Sequence, residues 1–359
     1  MAGREAAVST SGSGNTIAPW QQRAYDHLVA AFDAGRLGHG QLISGPAGLG
    51  KRDVVEKFGQ YVLCVDRYDG QPCGKCKSCL LYQSRSQRDP LEHRPDKSPS
   101  HPDGHPTHPD AIFIGFALNP KSSTKSMWTQ IVVDQMRDLT ERLFKTAQLG
   151  GNIIALIEPA DALNESASNS LLKTLEEPVP GRYLFLITAN PMRLPATIRS
   201  RVQRLEVKLP PRAEALAWLR GQGHPEKSAI EALDAARGHP GLADEWLRGE
   251  GLVLRRQVAE DLDKLERGQG TATEIAQRWS SDEFVDLRLR HAADLALARA
   301  GDLTDMAKMN KLASWFDAAN RTRDLLRTTV RGDLAMVDLL VAWRGVNRAA
   351  GVGERGGSA

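Results

Sequence analysis

The 359-residue chain carries 47 Lys and Arg against 44 Asp and Glu, a formal charge of +3, with 41% apolar and 25% charged residues. At roughly 100–200 residues per domain this length suggests two or three globular domains, and the ordinary apolar fraction excludes wholesale disorder. No apolar run approaches the ~20 residues of a membrane helix, Met1 to Asn15 lacks the apolar core of a secretory signal, and the near-balanced charge does not demand nucleic acid as a partner.

In chain order, Pro19 to Ala34 places Ala24, Leu28, Ala31 and Phe32 at helical spacing and stops at Gly35. The short apolar run Gln41 to Gly45 then opens a glycine-rich loop, Gly45-Pro-Ala-Gly48-Leu-Gly50-Lys51-Arg52, followed by a helical stretch from Asp53 to Leu63. Strand, glycine-rich loop and helix form the context of a phosphate-binding loop. There the backbone N–H groups of Gly45, Gly48 and Gly50 and the ammonium of Lys51 face phosphates; an unrelated glycine turn is the competing reading. The pattern calls for Ser or Thr after the lysine, to ligate Mg²⁺, but Arg52 stands there and repels a cation.

All four cysteines fall in one cluster, Cys64-x8-Cys73-x2-Cys76-x2-Cys79. A disulfide framework would scatter its pairs along a short secreted chain. Two interleaved CxxC steps instead suit tetrahedral Zn²⁺ held by four thiolates, a structural site with no open position; reduced free thiols and an iron–sulfur cluster are the alternatives. Residues 84–110 are rich in Pro, His, Asp, Ser and Arg, and their repeated His-Pro dipeptides keep His101, His105 and His108 from sharing a helix face. This composition predicts a disordered insert over about 84–107.

Ala111 to Ile114 resumes the sheet, Lys121 to Lys125 is a polar loop, and a helix follows Ile131-Val-Val; the Lys and Arg residues of 121–145 are as consistent with DNA phosphates as with a solvated face. Ile153 to Ile157 reads as a buried strand ending in Glu158 and Pro159. P-loop ATPases place two acids at that point, and Pro159 has no side-chain base. A helix from Glu165 to Leu175 stops at Pro178, Tyr183 to Thr188 forms another central strand, and Asn190 leads to Ile198-Arg-Ser-Arg201. After Leu209-Pro-Pro211 the chain turns helical. Three short helices (213–220, 226–237, 241–248) precede longer ones at 252–266, 272–279, 283–299, 305–328 and 332–349. Phe284, Leu287 and Leu295 are placed opposite Leu334, Val337 and Val341 in one bundle core, with Trp315 and Phe316 also inside.

SGPAGLGK, the four-cysteine spacing, NSLLKTLEEP and LPATIRSR, in that order over about residues 18–245, resemble the bacterial clamp-loader branch of the AAA+ ATPases. The resemblance implies an α/β fold: a disordered N-terminus (1–17), an AAA+ P-loop parallel-sheet domain (18–208) with the zinc module (64–79), a small helical lid (209–250), an all-α collar domain (251–350) and a flexible tail (351–359). It places Glu158 at the metal-side acid, Pro159 at the catalytic Glu and Gly241 at the lid's sensor Arg. Ser200-Arg201-Val202 matches a Ser-Arg-Cys signature whose arginine serves ATP held by a neighbouring subunit. With three catalytic positions lost, it implies no intrinsic ATPase and weak ATP or ADP binding at most. The implied partners are a tau/gamma-type ATPase subunit, a delta subunit, the sliding clamp and primed DNA in a cytoplasmic, nucleoid-associated replisome. The rival readings are an active ATPase of the tau/gamma type and a zinc-stabilised DNA-binding repair protein.

Overall fold

A computed structural model describes residues 17–95, 97–120, 122, 126–301, 304–326 and 332–346. The expected disordered N-terminus (all but Ile17), the tail, and Lys121 and Lys125 lie outside them. Backbone contacts divide the chain into two compact units. The first runs to Trp218 and takes in Gly238–Gly241; the second holds Leu219–Arg237 and continues from Leu242.

The first unit carries, in order, α1 (Pro19–Asp33), β1 (Gly40–Ser44), α2 (Lys51–Leu63), α3 (Lys77–Gln83), β2 (Arg85–Ser86), β3 (His105–Pro106), β4 (Ala111–Ile114), α4 (Val133–Phe144), β5 (Ile153–Ile157), α5 (Glu165–Glu176), β6 (Arg182–Thr188), α6 (Ala196–Arg199) and β7 (Gln203–Glu206). Five parallel strands form one sheet in the order β4-β5-β6-β1-β7. Alternate residues of β4, β5, β6 and β1 enter opposite cores. Ile43, Phe113, Ile154, Leu156, Phe185 and Ile187 pack with α1 and α2, and Leu42, Ile112, Ile153, Ile157, Leu184 and Leu186 pack with α4 and α5. A sheet covered on both faces needs continuous apolar strands, which is why the runs at 111–114 and 153–157 were legible. Strand β7 reads Gln-Arg-Leu-Glu, lies at the sheet edge, and is exposed at three of its four positions. No apolar run marks it.

The insert departs from expectation. Residues 84–95 and 97–107 do not run as a disordered loop: β2 and β3 pair antiparallel, and Ser100 and His101 are buried. Polar residues can order a segment when ion pairs replace apolar burial, and composition alone does not reveal those partners.

Helix α7 (Arg212–Gly221) starts in the first unit, where Trp218 meets Trp20 edge-on at 5.3 Å and Arg23 pairs with Glu214 at 3.0 Å. The second unit continues with α8 (Glu226–Ala235), most of α9 (Pro240–Arg248), α10 (Gly251–Glu266), α11 (Ala272–Ser280), α12 (Val285–Gly301), α13 (Met306–Leu325) and α14 (Gly332–Val346). Its core takes in the predicted residues only in part: Leu295, Val337 and Phe316 pack against it partly buried. Leu334 and Val341 are exposed, as is Phe284, while Met336, Leu339, Leu340 and Trp343 are buried against Leu289, Ala292 and Ala296. Helix α14 is apolar on nearly every side, so i, i+3, i+7 spacing fits two faces equally well. Trp315 is in the core as expected; its indole donates to Leu339 O at 2.8 Å, as Trp343 does to Leu262 O at 3.2 Å.

Candidate functional site

The glycine-rich loop joins β1 to α2 at the carboxyl end of the sheet, where parallel α/β sheets present ligand sites. Its shape is held from outside. Trp20 Nε1 donates to Leu49 O at 3.1 Å, and Gln21 Nε2 donates to Gly50 O at 3.3 Å. Gly45 sits at φ 137°, where an added Cβ would run into Val207 O, so only glycine fits. Lys51 opens α2 but turns back on its own loop, donating to Gly45 O at 2.8 Å and Pro46 O at 2.7 Å. Burial lowers its pKa, against the pull of Glu158 and Asp161.

Arg52 is the centre of the site. Its Nε donates to Glu56 Oε1 at 2.6 Å, one turn along α2. Nη1 donates to Glu158 Oε2 at 3.0 Å and to Ser100 O at 3.2 Å, and Nη2 donates to His101 Nδ1 at 3.0 Å. The guanidinium also lies over the Phe113 ring, 5.5 Å from its centroid. Burial disfavours its charge, but Glu56 and Glu158 outweigh that and raise its pKa. A buried charge survives only when paired and hydrogen-bonded in this way. Glu56 also takes Arg85 at 2.8 Å, and Arg94 stands 3.7 Å from Glu158. Burial, reinforced by Arg52, pushes His101 down to about 2, so the ring is neutral and its Nδ1 lone pair accepts from the arginine. The acid expected to hold metal thus holds a guanidinium.

Glu56, Ser100 and Asp161 escaped the sequence reading, and His101 was named there only as one histidine of a disordered insert. Ser100 and His101 belong to the insert. Asp161 accepts from Thr188 Oγ1 at 2.5 Å and from Asn190 Nδ2 at 3.3 Å, joining the ends of β5 and β6. Asp161 was detectable as the next acid after Glu158; nothing local marks Ser100 or His101. Gly241 packs on the loop itself: a Cβ there would collide with Gly48 O, so no side chain fits where the resemblance puts a sensor arginine.

Arg201 sits just beyond α6, away from Arg52's network. Its side chain is 39% exposed, and its guanidinium pairs with Glu176 Oε1 at 2.8 Å and donates to Thr197 O at 3.1 Å and Ser200 Oγ at 3.4 Å.

The four cysteines do converge. Cys64 caps the end of α2 and Cys76 the start of α3, so two helix termini and the turn between them bring all four Sγ atoms within 4.8 Å of one another. Cys64–Cys76 is 3.9 Å and Cys73–Cys79 is 4.0 Å. A tetrahedron with Zn–S of ~2.3 Å has S···S edges of ~3.8 Å, so the donor set fits zinc and is too open for disulfides. Backbone N–H groups of Cys73, Cys76 and Cys79 donate to Sγ atoms of the cluster at 3.3–3.4 Å, as thiolates require. Burial raises the Cys64 and Cys79 thiols; Cys76, against its own burial, is drawn down to about 7 by the Cys79 N–H.

A parallel sheet of order 4-5-6-1-7 with a phosphate-loop between β1 and α2, a four-thiol module after α2 and an arginine beyond α6 defines a P-loop protein of the clamp-loader class. A family model described as DNA polymerase III, delta subunit, matches residues 20–211. The chain is 33% identical over 353 residues to the DNA polymerase III subunit delta' of Pseudomonas aeruginosa, spanning 91% of this chain and 97% of that protein. It is 31% identical over 245 residues to subunit delta' of Escherichia coli, spanning 68% of this chain and 65% of that protein. To the tau subunit of Salmonella typhimurium it is 24% identical over 339 residues, 88% of this chain and 48% of that one. The chain belongs to the delta' family of DNA polymerase III subunits. Among the described residues, no helix is long and apolar enough to cross a membrane.

Proposed function

We propose that this chain is a non-hydrolysing clamp-loader subunit. It assembles with a tau/gamma-type ATPase subunit and a delta subunit, in the cytoplasm at the replisome, to place the sliding clamp on primed DNA. The observation that carries the reading is Arg52. A guanidinium fills the position that needs a metal-ligating hydroxyl and bonds Glu158, the remaining acid, while Pro159 leaves no base to activate water. Binding of ATP or ADP through Gly45, Gly48, Gly50 and Lys51 is weak or absent, because Lys51 is spent on its own loop's carbonyls.

Arg201 serves the neighbouring subunit's ATP in trans. It is reachable by solvent and lies outside its own chain's blocked site, and a guanidinium at a transferring phosphoryl group contributes ~10³–10⁵ in rate. Zn²⁺ at Cys64, Cys73, Cys76 and Cys79 would cross-link the ends of α2 and α3; it supplies rigidity rather than chemistry, since four thiolates fill its coordination.

The test is turnover. The purified chain with Mg·ATP should hydrolyse nothing, while the complex reconstituted with Arg201→Ala should lose most DNA-stimulated ATPase and clamp loading. Brisk hydrolysis by the chain alone, or full activity of the Arg201→Ala complex, overturns the reading.

A further inference from the structure

The insert that joins the cysteine module to the sheet has an organised interior. Beyond the two-residue β2–β3 ladder, Ser100 N donates to Glu92 O at 2.8 Å and Arg94 N to Ser98 O at 2.8 Å, and Gln87 Nε2 donates to His101 O and Pro102 O at 3.0 Å each. Glu92 takes Arg88 at 2.8 Å and His105 at 2.9 Å, and the His101 and His105 rings lie 4.1 Å apart.

Ser100 and His101 of this segment reach the working end of the sheet. Ser100 is 0% and His101 2% exposed. Gly115, the residue after β4, gives them room: a Cβ there would stand 2.5 Å from Ser100 Oγ, 3.0 Å from His101 Nε2 and 3.1 Å from Glu158 O. Ser100 and His101 therefore lie beside Glu158 at the ends of β4 and β5. Ser100 O and His101 Nδ1 provide two of the acceptors that hold Arg52, with Glu158 and Glu56 completing the set. A metal-bound phosphate on Lys51 needs both the residue-52 side chain and Glu158. Both are engaged with each other, and Ser100 O and His101 Nδ1 of the insert hold the guanidinium in that pairing.

Glu92, His101 and His105 also bring three ligand atoms together, but the protonation pattern opposes a cation. With His101 Nδ1 accepting from Arg52, the ring proton sits on Nε2, the nitrogen nearest Glu92, and Arg88 and Arg94 add positive charge nearby.

We propose that segment 85–106 is a built-in plug that clasps Arg52 onto Glu158 and closes the metal end of the phosphate loop to nucleotide. The proposal rests on the reading of this subunit as non-hydrolysing and deepens it: loss of the hydroxyl at position 52 is then not the only barrier, since the chain's own hairpin is a second.

The experiment measures binding of Mg·ATPγS and of ADP to the full chain, to Arg52→Thr, to a chain with residues 88–103 replaced by a short Gly/Ser link, and to the combination. Arg52→Thr alone should bind no better than the parent, and the combination at least ~10-fold tighter than Arg52→Thr. Equal affinity of Arg52→Thr and the combination overturns the plug. Should the shortened chain not fold, hydrogen exchange on the unmodified protein decides. The amides of Ser100, Gly104 and Thr107, bonded to Glu92 O, His101 O and Ser84 O, should exchange slowly with and without Mg·ATP; rapid exchange, or opening on nucleotide addition, overturns it. Zinc titration supplies the last arm: no second equivalent should bind beyond the cysteine site, and one that is lost in His105→Ala assigns the cluster to a metal instead. Failure of the plug leaves complex assembly and the Arg201 dependence intact. Failure of the subunit reading removes those and leaves the binding results as they are.

Discussion

Arg201 Nη2 rests 2.8 Å from Glu176 Oε1, an ion pair between the last residue of α5 and the residue two beyond α6, with 39% and 50% of the two side chains exposed. A pair this open is worth ~0–1 kcal/mol. Glu176 can therefore orient the guanidinium without withholding it from a phosphate, and the Thr197 carbonyl keeps its hold when Glu176 is lost.

In the reconstituted loader, Glu176→Gln should leave ATP turnover within ~3-fold of the parent, because the lost pair is weakly held. Arg201→Lys should fall far lower, by ~10²-fold or more, because an ammonium lacks the planar fork that matches phosphate oxygens. Steady-state ATPase at saturating primed DNA and clamp reads both. Equal losses in the two variants would contradict the assignment.

The cysteine module should hold about one zinc per chain by metal analysis. Cys73→Ser should abolish the bound zinc and lower Tm by roughly 3–8 °C, since the metal joins the ends of α2 and α3 and its binding free energy is folding free energy. Stoichiometric zinc retained in Cys73→Ser would rule out four-thiolate ligation.

Acid should destabilise the fold through two buried histidines. His101 and His291 are pushed down to about 2 and about 3, in each case first by burial and then by neighbouring arginines, Arg52 and Arg255 respectively. An unfolded histidine titrates near 6.5. Each group's contribution is therefore whole above pH 6.5 and is lost as pH falls toward the folded value. At pH 4.5 that is ~2–3 kcal/mol per histidine. Denaturant unfolding at pH 7 and 4.5 should show the loss, and His291→Gln, neutral at both pH values, should show a smaller one.

The packing of the helical unit can be checked by truncation on α14. Trp343→Ala should cost ~3–5 kcal/mol, from a side chain that is fully buried and bonded to Leu262 O. Val341→Ala, 53% exposed, should cost under ~0.5 kcal/mol. Urea unfolding of the whole chain reads both, and the reverse order would restore the face proposed from spacing.

How much of this was legible in the sequence follows from the range of the interactions. The strands at 111–114 and 153–157 announce themselves because burial on both faces makes every residue apolar. The cysteine module is legible because its four ligands lie within sixteen residues of chain. Helix α3 is hidden by its seven-residue length, and α14 hides its inward face because it is apolar all round.

By itself the sequence determined the parallel-sheet class, the missing hydroxyl at position 52, the missing base at 159 and the thiol cluster, since each is a matter of residue type and local spacing. Only the tertiary structure decided what Arg52 does. Its partners Ser100, His101 and Glu158 lie 48, 49 and 106 residues away, and a buried charge takes whichever acceptors the packed chain brings within ~3 Å, a choice that no local pattern encodes.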